Sequence, residues 1–456
     1  MSDIQTILQA QRSFYNTGRT KDLTFRITQL KKLKALLKEN EYDILAALKS
    51  DLNKSPFEAY ETEIGMVLGE IDYALKHLAE WTKPKRIRTP IMHFLSSSRI
   101  YTEPYGVVLI MSPWNYPVQL TLSPLVGAIA AGNCSVLKPS EYSPHTAALL
   151  ERLLSGAYHR GYISVIRGGR TANQALLDQK FDYIFFTGSV PVGKVVMEAA
   201  SKHLTPVTLE LGGKSPCLVD STADIDLAAK RIVWGKFLNA GQTCVAPDYI
   251  LAERSIKTQL IHALAKYIHS FYGADPLACQ DYPRIISEKH YRRLLELLDS
   301  GTVIEGGQHD PASLRIAPTL LTVTDWDSPI MQEEIFGPLL PVLEYDRLKS
   351  AIALINSRPK PLAFYYFTTD KRREAYALRT ASFGGGCIND TIIHLSNPNL
   401  MFGGVGESGM GQYHGYESFL TFSHRKSVIR KSNAIDIPLR YPPFKDHLKL
   451  LRLFMH

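Results

Sequence analysis

The sequence predicts an α/β chain of two domains, each built on a parallel sheet, and three observations carry that reading. Short apolar runs alternate with segments of helical periodicity from Val107 to His203, the pattern of successive βαβ units. The alternation resumes after Cys244, far enough downstream to need a second sheet. At 456 residues the chain exceeds one average domain, and 45% hydrophobic with 21% charged residues is ordinary for a globular protein with a large core.

Amphipathic helices open the chain: Leu30, Leu33, Leu36 and Leu37, then Ile44, Leu45 and Leu48, recur at helical spacing between Ile4 and Ser50. The pattern continues from Glu58 to Trp81 and stops before Pro84. Lys83 to Pro104, with Pro90 and the Ser96-Ser97-Ser98 turn, breaks any helix and reads as a linker or protruding hairpin. The first alternating set follows: strand 107–111, helix 120–131, strand 135–137, helix 145–154, strand 163–166, helix 171–178, strand 183–186 and helix 192–203. A strand then carries Glu210 into a glycine turn, and an apparent helix runs into the small residues around Cys244. Beyond it come helices 256–271 and 288–299, strands near Leu320 and over 362–367, and a helix over 372–380.

Five widely spaced cysteines without a C-x-x-C pair argue against both a disulfide framework and a zinc site, and fit a reducing cytoplasm. The net charge of +8 comes from 52 basic and 44 acidic residues that are mostly interspersed, so a solvated surface is expected rather than a nucleic-acid footprint. The N-terminus carries no signal-peptide pattern, and no apolar run is long enough to span a bilayer. Lys445 to His456, with Leu448, Leu450, Leu451, Leu453 and Phe454 among Lys449 and Arg452, reads as a short amphipathic tail, with peripheral membrane contact at most.

Three residues carry the chemistry. Cys244, flanked by Gly241, Thr243 and Ala246, leaves room for a substrate; a cysteine becomes a nucleophile when its thiolate is favoured and reachable. Glu210, between Leu209 and Leu211, would be desolvated, which raises a carboxyl pKa and suits a general base. Asn115, held in Pro113-Trp114-Asn115-Tyr116-Pro117 directly after a strand, offers an amide donor for an oxyanion. Gly188-Ser189-Val190-Pro191-Val192-Gly193 places two glycines at a strand-to-helix junction, where backbone amides favour a phosphate.

The segment Glu210-Leu211-Gly212-Gly213-Lys214 followed by Gly241-Gln242-Thr243-Cys244 resembles the signatures of the aldehyde dehydrogenase superfamily. The wider reading Gly241 to Tyr249, and the run Met401 to Gly415, are similar to its class 3 branch, which handles aromatic and fatty aldehydes. The resemblance implies two Rossmann-related α/β domains plus a protruding oligomerisation hairpin. Residues 1–85 and 105–209 would bind cofactor, 210–410 would be catalytic, 86–104 and 411–440 would bridge subunits of a homodimer, and 441–456 would form a tail. It implies NAD and/or NADP as cofactor, with Lys138 and Glu141 on the adenosine ribose and the turn of Gly188, Ser189 and Gly193 on the phosphates. Glu334 would bind the nicotinamide ribose beside Phe336, and Tyr116, Trp234, Ile393 and Phe402 would line an apolar aldehyde pocket. Met401 departs from the branch, where a proline is common. Cys387 reads as structural.

The chemistry so implied is attack of Cys244 on an aldehyde, hydride loss to the nicotinamide, and Glu210-assisted hydrolysis of the thioester to a carboxylic acid, with no metal required. Alternatives at this point are a CoA-acylating or other thioester-forming dehydrogenase, a non-catalytic structural or binding homologue, and a Cys-His hydrolase drawing on His203, His262, His394 or His414.

Overall fold

Val107–Met111 is buried at every position, as a strand covered on both faces must be. In the computed structural model, which describes all residues except Met1, Ile437, Lys445, Asp446, Met455 and His456, this strand lies inside a six-stranded sheet. The order across that sheet is Gly409–Met410, Val207–Glu210, Tyr183–Thr187, Val107–Met111, Cys134–Lys138, Ile163–Val165. All neighbours are parallel except the short Gly409–Met410 edge. Chain order therefore reverses beside Val107–Met111, the switch point at which open α/β sheets bind ligands. The carboxyl ends of three strands meet there and deliver Asn115, Gly188 and Glu210.

A seven-stranded sheet follows in the order Thr302–Glu305, Thr319–Thr322, Leu339–Tyr345, Tyr249–Glu253, Pro216–Val219, Ala363–Phe367, Gly385–Ile388. It is parallel apart from its Thr302–Glu305 edge. Residues 211–215 cross from the end of one sheet to the start of the other, so Glu210 stands at the join. The helices Gln119–Ala131, Pro144–Ala157 and Val190–Ser201 belong to the first sheet, and Ile225–Phe237 and Lys257–Tyr272 to the second, within three residues of the expected bounds where these were expected.

Residues 83–104 resolve into a hairpin of Lys85–Ile87 and Ser96–Pro104. A third strand, Ser423–Lys431, runs antiparallel along its whole length, from Ser423 opposite Pro104 to Lys431 opposite Ser96. The N-terminal helices clamp onto the first sheet and its helical cover: Gln11 donates to the Ser135 carbonyl at 2.9 Å, and the buried Arg26 guanidinium to that of Ala130, at the end of helix Gln119–Ala131, at 3.1 Å. The tail carries a short helix, Leu448–Phe454, with Leu448 and Leu451 exposed. Lys445, Asp446, Met455 and His456 of the expected tail helix lie outside the described residues. Among the described residues no helix is long and apolar enough to cross a membrane.

Candidate active site

Cys244 follows helix Ile225–Phe237 through a turn that the backbone makes with difficulty. Asn239 and Ala240 both sit at φ 52°, and Gly241 at φ 74°. A side chain at Gly241 would strike the Gly337 carbonyl oxygen, 2.2 Å from its Cβ position, so glycine is needed for approach as well as for conformation. Strain at non-glycine residues persists only where the surroundings over-determine it, and here the turn delivers a half-buried thiol to the wall of a cavity of about 1210 Å³.

Asn115, Glu210, Gly188 and Glu334 line the same cavity. Glu210 is buried, and neither carboxylate oxygen has a hydrogen-bond partner. Burial alone raises its pKa well above the carboxylate range, as the sequence led us to expect. Asn115 gives one amide hydrogen to the Gln242 carbonyl at 3.0 Å, which ties it to the cysteine turn and leaves its second hydrogen for a ligand. The thiol departs from expectation. Burial pushes Cys244 up, and the nearby Glu334 and Glu210 add to the shift, so the resting side chain is a thiol rather than a favoured thiolate. A proton must therefore leave Cys244 as it attacks.

The turn at Gly188 and Ser189 joins strand Tyr183–Thr187 to helix Val190–Ser201. Helix Val190–Ser201 begins with Pro191 in its first turn and no side-chain cap, and Thr187 Oγ1 beside it is buried without a partner. An open helix N-terminus with an orphaned hydroxyl on a cavity wall suits a dinucleotide pyrophosphate. Glu334 lies against Gly212, where an added Cβ would come within 1.9 Å of Oε2. Burial, with Asp248 nearby, holds the Glu334 carboxyl up at about 8. Phe336, at φ 50°, meets Trp114 edge-on at 5.3 Å between centroids.

Three expected cofactor residues stand back from the cavity wall. Lys138 is buried with Nζ on the Pro139 carbonyl at 2.8 Å. Glu141 lies over Gly169, and Gly193 packs against Leu211 with no room for a side chain. Tyr116, Trp234, Ile393 and Phe402 all line the cavity, with the Tyr116 hydroxyl 2.6 Å from Thr243 Oγ1. Cys387 is off the wall, 3.5 Å from His394 Nδ1. His394 is thus paired with a different cysteine.

Sequence reasoning missed the Tyr413 side chain and raised His414 only as a base for the hydrolase alternative; both are buried and both are on the wall. His414 Nδ1 lies 2.8 Å from Glu70 Oε1, a contact between residues 344 positions apart that no local pattern signals.

A thiol, a partnerless carboxyl and an amide donor facing one nucleotide-type crevice define a dehydrogenase that works through a covalent thioester. The chain belongs to the aldehyde dehydrogenase family, whose profile matches residues 1–428. It is 51% identical to the 4,4'-diaponeurosporen-aldehyde dehydrogenase of Staphylococcus aureus, over 100% of this chain and 99% of that one. It is 48% identical to the dimeric NADP-preferring aldehyde dehydrogenase of Mus musculus, over 97% and 98% of the two chains. A solved structure described as the substrate-bound state of Staphylococcus aureus AldH superposes with a TM-score of 0.98, at 51% identity and 99% coverage of both chains.

Proposed function

We propose that this protein oxidises aromatic or medium-to-long aliphatic aldehydes to carboxylic acids with NAD or NADP, hydrolysing its own thioester. The observation that carries the reading is Glu210: a buried carboxyl with both oxygens free, on the same cavity as Cys244. A route ending in transfer to a second thiol has no use for such a base, and a non-catalytic homologue has no need of one.

Cys244 Sγ attacks the aldehyde carbon as its proton passes to solvent, and the oxyanion accepts a hydrogen bond from the free Asn115 amide N–H. The nicotinamide, when bound, supplies the hydride acceptor, leaving an acyl group on Cys244. Glu210 then takes a proton from water, which attacks the acyl carbon and frees the thiol and the carboxylic acid. Glu334 and Phe336 would hold the nicotinamide end, and Thr187, Gly188 and Ser189 the pyrophosphate. Lys138, Glu141 and Gly193 belong to the same binding half, the first two toward the adenosine ribose and Gly193 by letting the phosphate-binding helix pack against Leu211.

Residues 1–85 and 105–209 form the cofactor-binding domain in this reading, and 210–410 the catalytic domain. Segments 86–104 and 411–440 join two copies into a homodimer; exposed Ile91 and Phe94 in the hairpin's connecting loop and Ile429 on the third strand support that assignment. Five free cysteines suit a cytoplasmic setting. Any membrane contact would be peripheral, through the 441–456 tail.

The test is formation of reduced nicotinamide by purified protein with NAD or NADP, using benzaldehyde, acetaldehyde and straight-chain aldehydes of increasing length. Turnover should rise with chain length or aromaticity and produce free acid without CoA. Acyl transfer that requires CoA would overturn the reading. Gly212→Ala tests the cofactor half, because the new methyl group must displace Glu334. The KM for NAD(P) should rise about tenfold or more, the scale on which a misplaced positioning group registers.

A further inference from the structure

A buried ion pair stands behind Asn115. Lys54 Nζ and Glu63 Oε1 meet at 2.7 Å, and neither side chain is accessible to solvent. Lys54 Nζ also donates to the Asn115 carbonyl oxygen at 3.1 Å and lies 4.0 Å over the Tyr116 ring. Glu63 Oε2 accepts from the Val118 and Gln119 amides at 2.8 and 3.0 Å, fixing the start of the helix that follows Pro117. Glu58 accepts from the Asn239 amide at 2.9 Å, and Asn239 Nδ2 returns to the Asn115 carbonyl at 2.9 Å. One stretch of the N-terminal region thus grips both the Asn115 turn and the strained turn before Cys244.

The local backbone is built for this. In an α-helix, residues five apart point about 140° away from each other. Over Tyr60–Ile64 the helix loosens to i→i+5 bonding, with the Gly65 amide donating to the Tyr60 carbonyl. Five residues then make roughly one turn, and Glu58 and Glu63 both face inward. Burying a charged pair costs desolvation that its own attraction barely offsets, and here the pair is spent on the backbone of a residue at the reacting centre.

We infer that Lys54 is a positioning residue for oxyanion stabilisation, aiming the Asn115 amide by holding its carbonyl while Glu63 anchors the chain three residues on. The inference rests on Asn115 being the oxyanion donor.

Its test is a double-mutant cycle on kcat at saturating aldehyde and cofactor. Asn115→Ala should lower kcat about 10²-fold. Lys54→Met should lower it about tenfold or more, with the KM for NAD(P) and the rate of Cys244 alkylation by iodoacetamide unchanged within about twofold. In the Asn115→Ala background Lys54→Met should cost no further rate. Should Lys54→Met fail to fold, the neutral pair Lys54→Gln with Glu63→Gln takes its place in the same cycle. A Lys54 loss that multiplies in full onto Asn115→Ala, or a Lys54 variant with undiminished kcat, overturns the positioning role alone. Undiminished turnover in Asn115→Ala overturns the oxyanion reading, and the positioning role with it.

Discussion

Cys244→Ala abolishes aldehyde oxidation, lowering kcat by at least about 10⁴-fold, the scale seen when a covalent nucleophile is lost. No other thiol can substitute. Cys134 and Cys217 are buried in strands with their pKa values raised by burial, Cys134 to about 12, and Cys279 and Cys387 do not line the cavity. Alanine leaves the turn conformation, Gly188 and Glu334 in place, so NAD(P)H binding, followed by fluorescence titration, should change by no more than about twofold. The raised thiol pKa has its own consequence. Alkylation of the resting enzyme by iodoacetamide should be slow at neutral pH and climb through the alkaline range, because only the thiolate reacts. A variant that keeps its turnover would refute covalent catalysis at this position.

What the sequence made legible was local. Glu210, Gly188 and Asn115 each end a strand with a short, distinctive turn, and strand ends at a switch point are where ligands bind, so a linear reading located them. The first sheet was legible for the same reason, its short apolar strands being separated by whole helices. The second was less so. Leu339–Tyr345 lies inside its sheet yet carries Pro341, a residue that argues against a central strand because it cannot donate to the ladder.

Long-range electrostatics left no trace in the pattern. Glu58 and Glu63 look like the charged face of an amphipathic helix, and the loosened turn at Tyr60–Ile64 lets both face inward, while Lys54 reads as an ordinary loop lysine ahead of that helix. The state of Cys244 was hidden for the same reason, since Glu334 arrives from another part of the second sheet's connections to disfavour the thiolate. Lys138 and Glu141 show the converse: the sequence proposes them for the cofactor, while in the fold their side chains rest on neighbouring backbone, away from the cavity wall.

Glu210→Gln separates the two halves of the reaction. The amide keeps the size and shape of the side chain but cannot take a proton from water, so hydride loss proceeds and deacylation stalls. Rapid mixing with aldehyde and NAD(P) should show a burst of reduced nicotinamide near one equivalent per active site, followed by a steady rate lower by about 10²-fold or more. In the wild-type protein the raised Glu210 pKa means that the base form is gained only above the ordinary carboxylate range, so a deacylation-limited rate rises with pH there, and the variant loses that dependence. Stability moves the other way. A carboxyl held protonated by the fold contributes full stability below its unfolded pKa, and that contribution is lost as pH rises toward the raised folded value, because the unfolded chain releases its proton first. Glutamine has no proton to release, so at neutral pH the variant should melt at a higher temperature than the wild type, and at acid pH at nearly the same one. Loss of the burst together with the steady rate would instead place Glu210 in the deprotonation of Cys244, the step that the raised thiol pKa makes necessary.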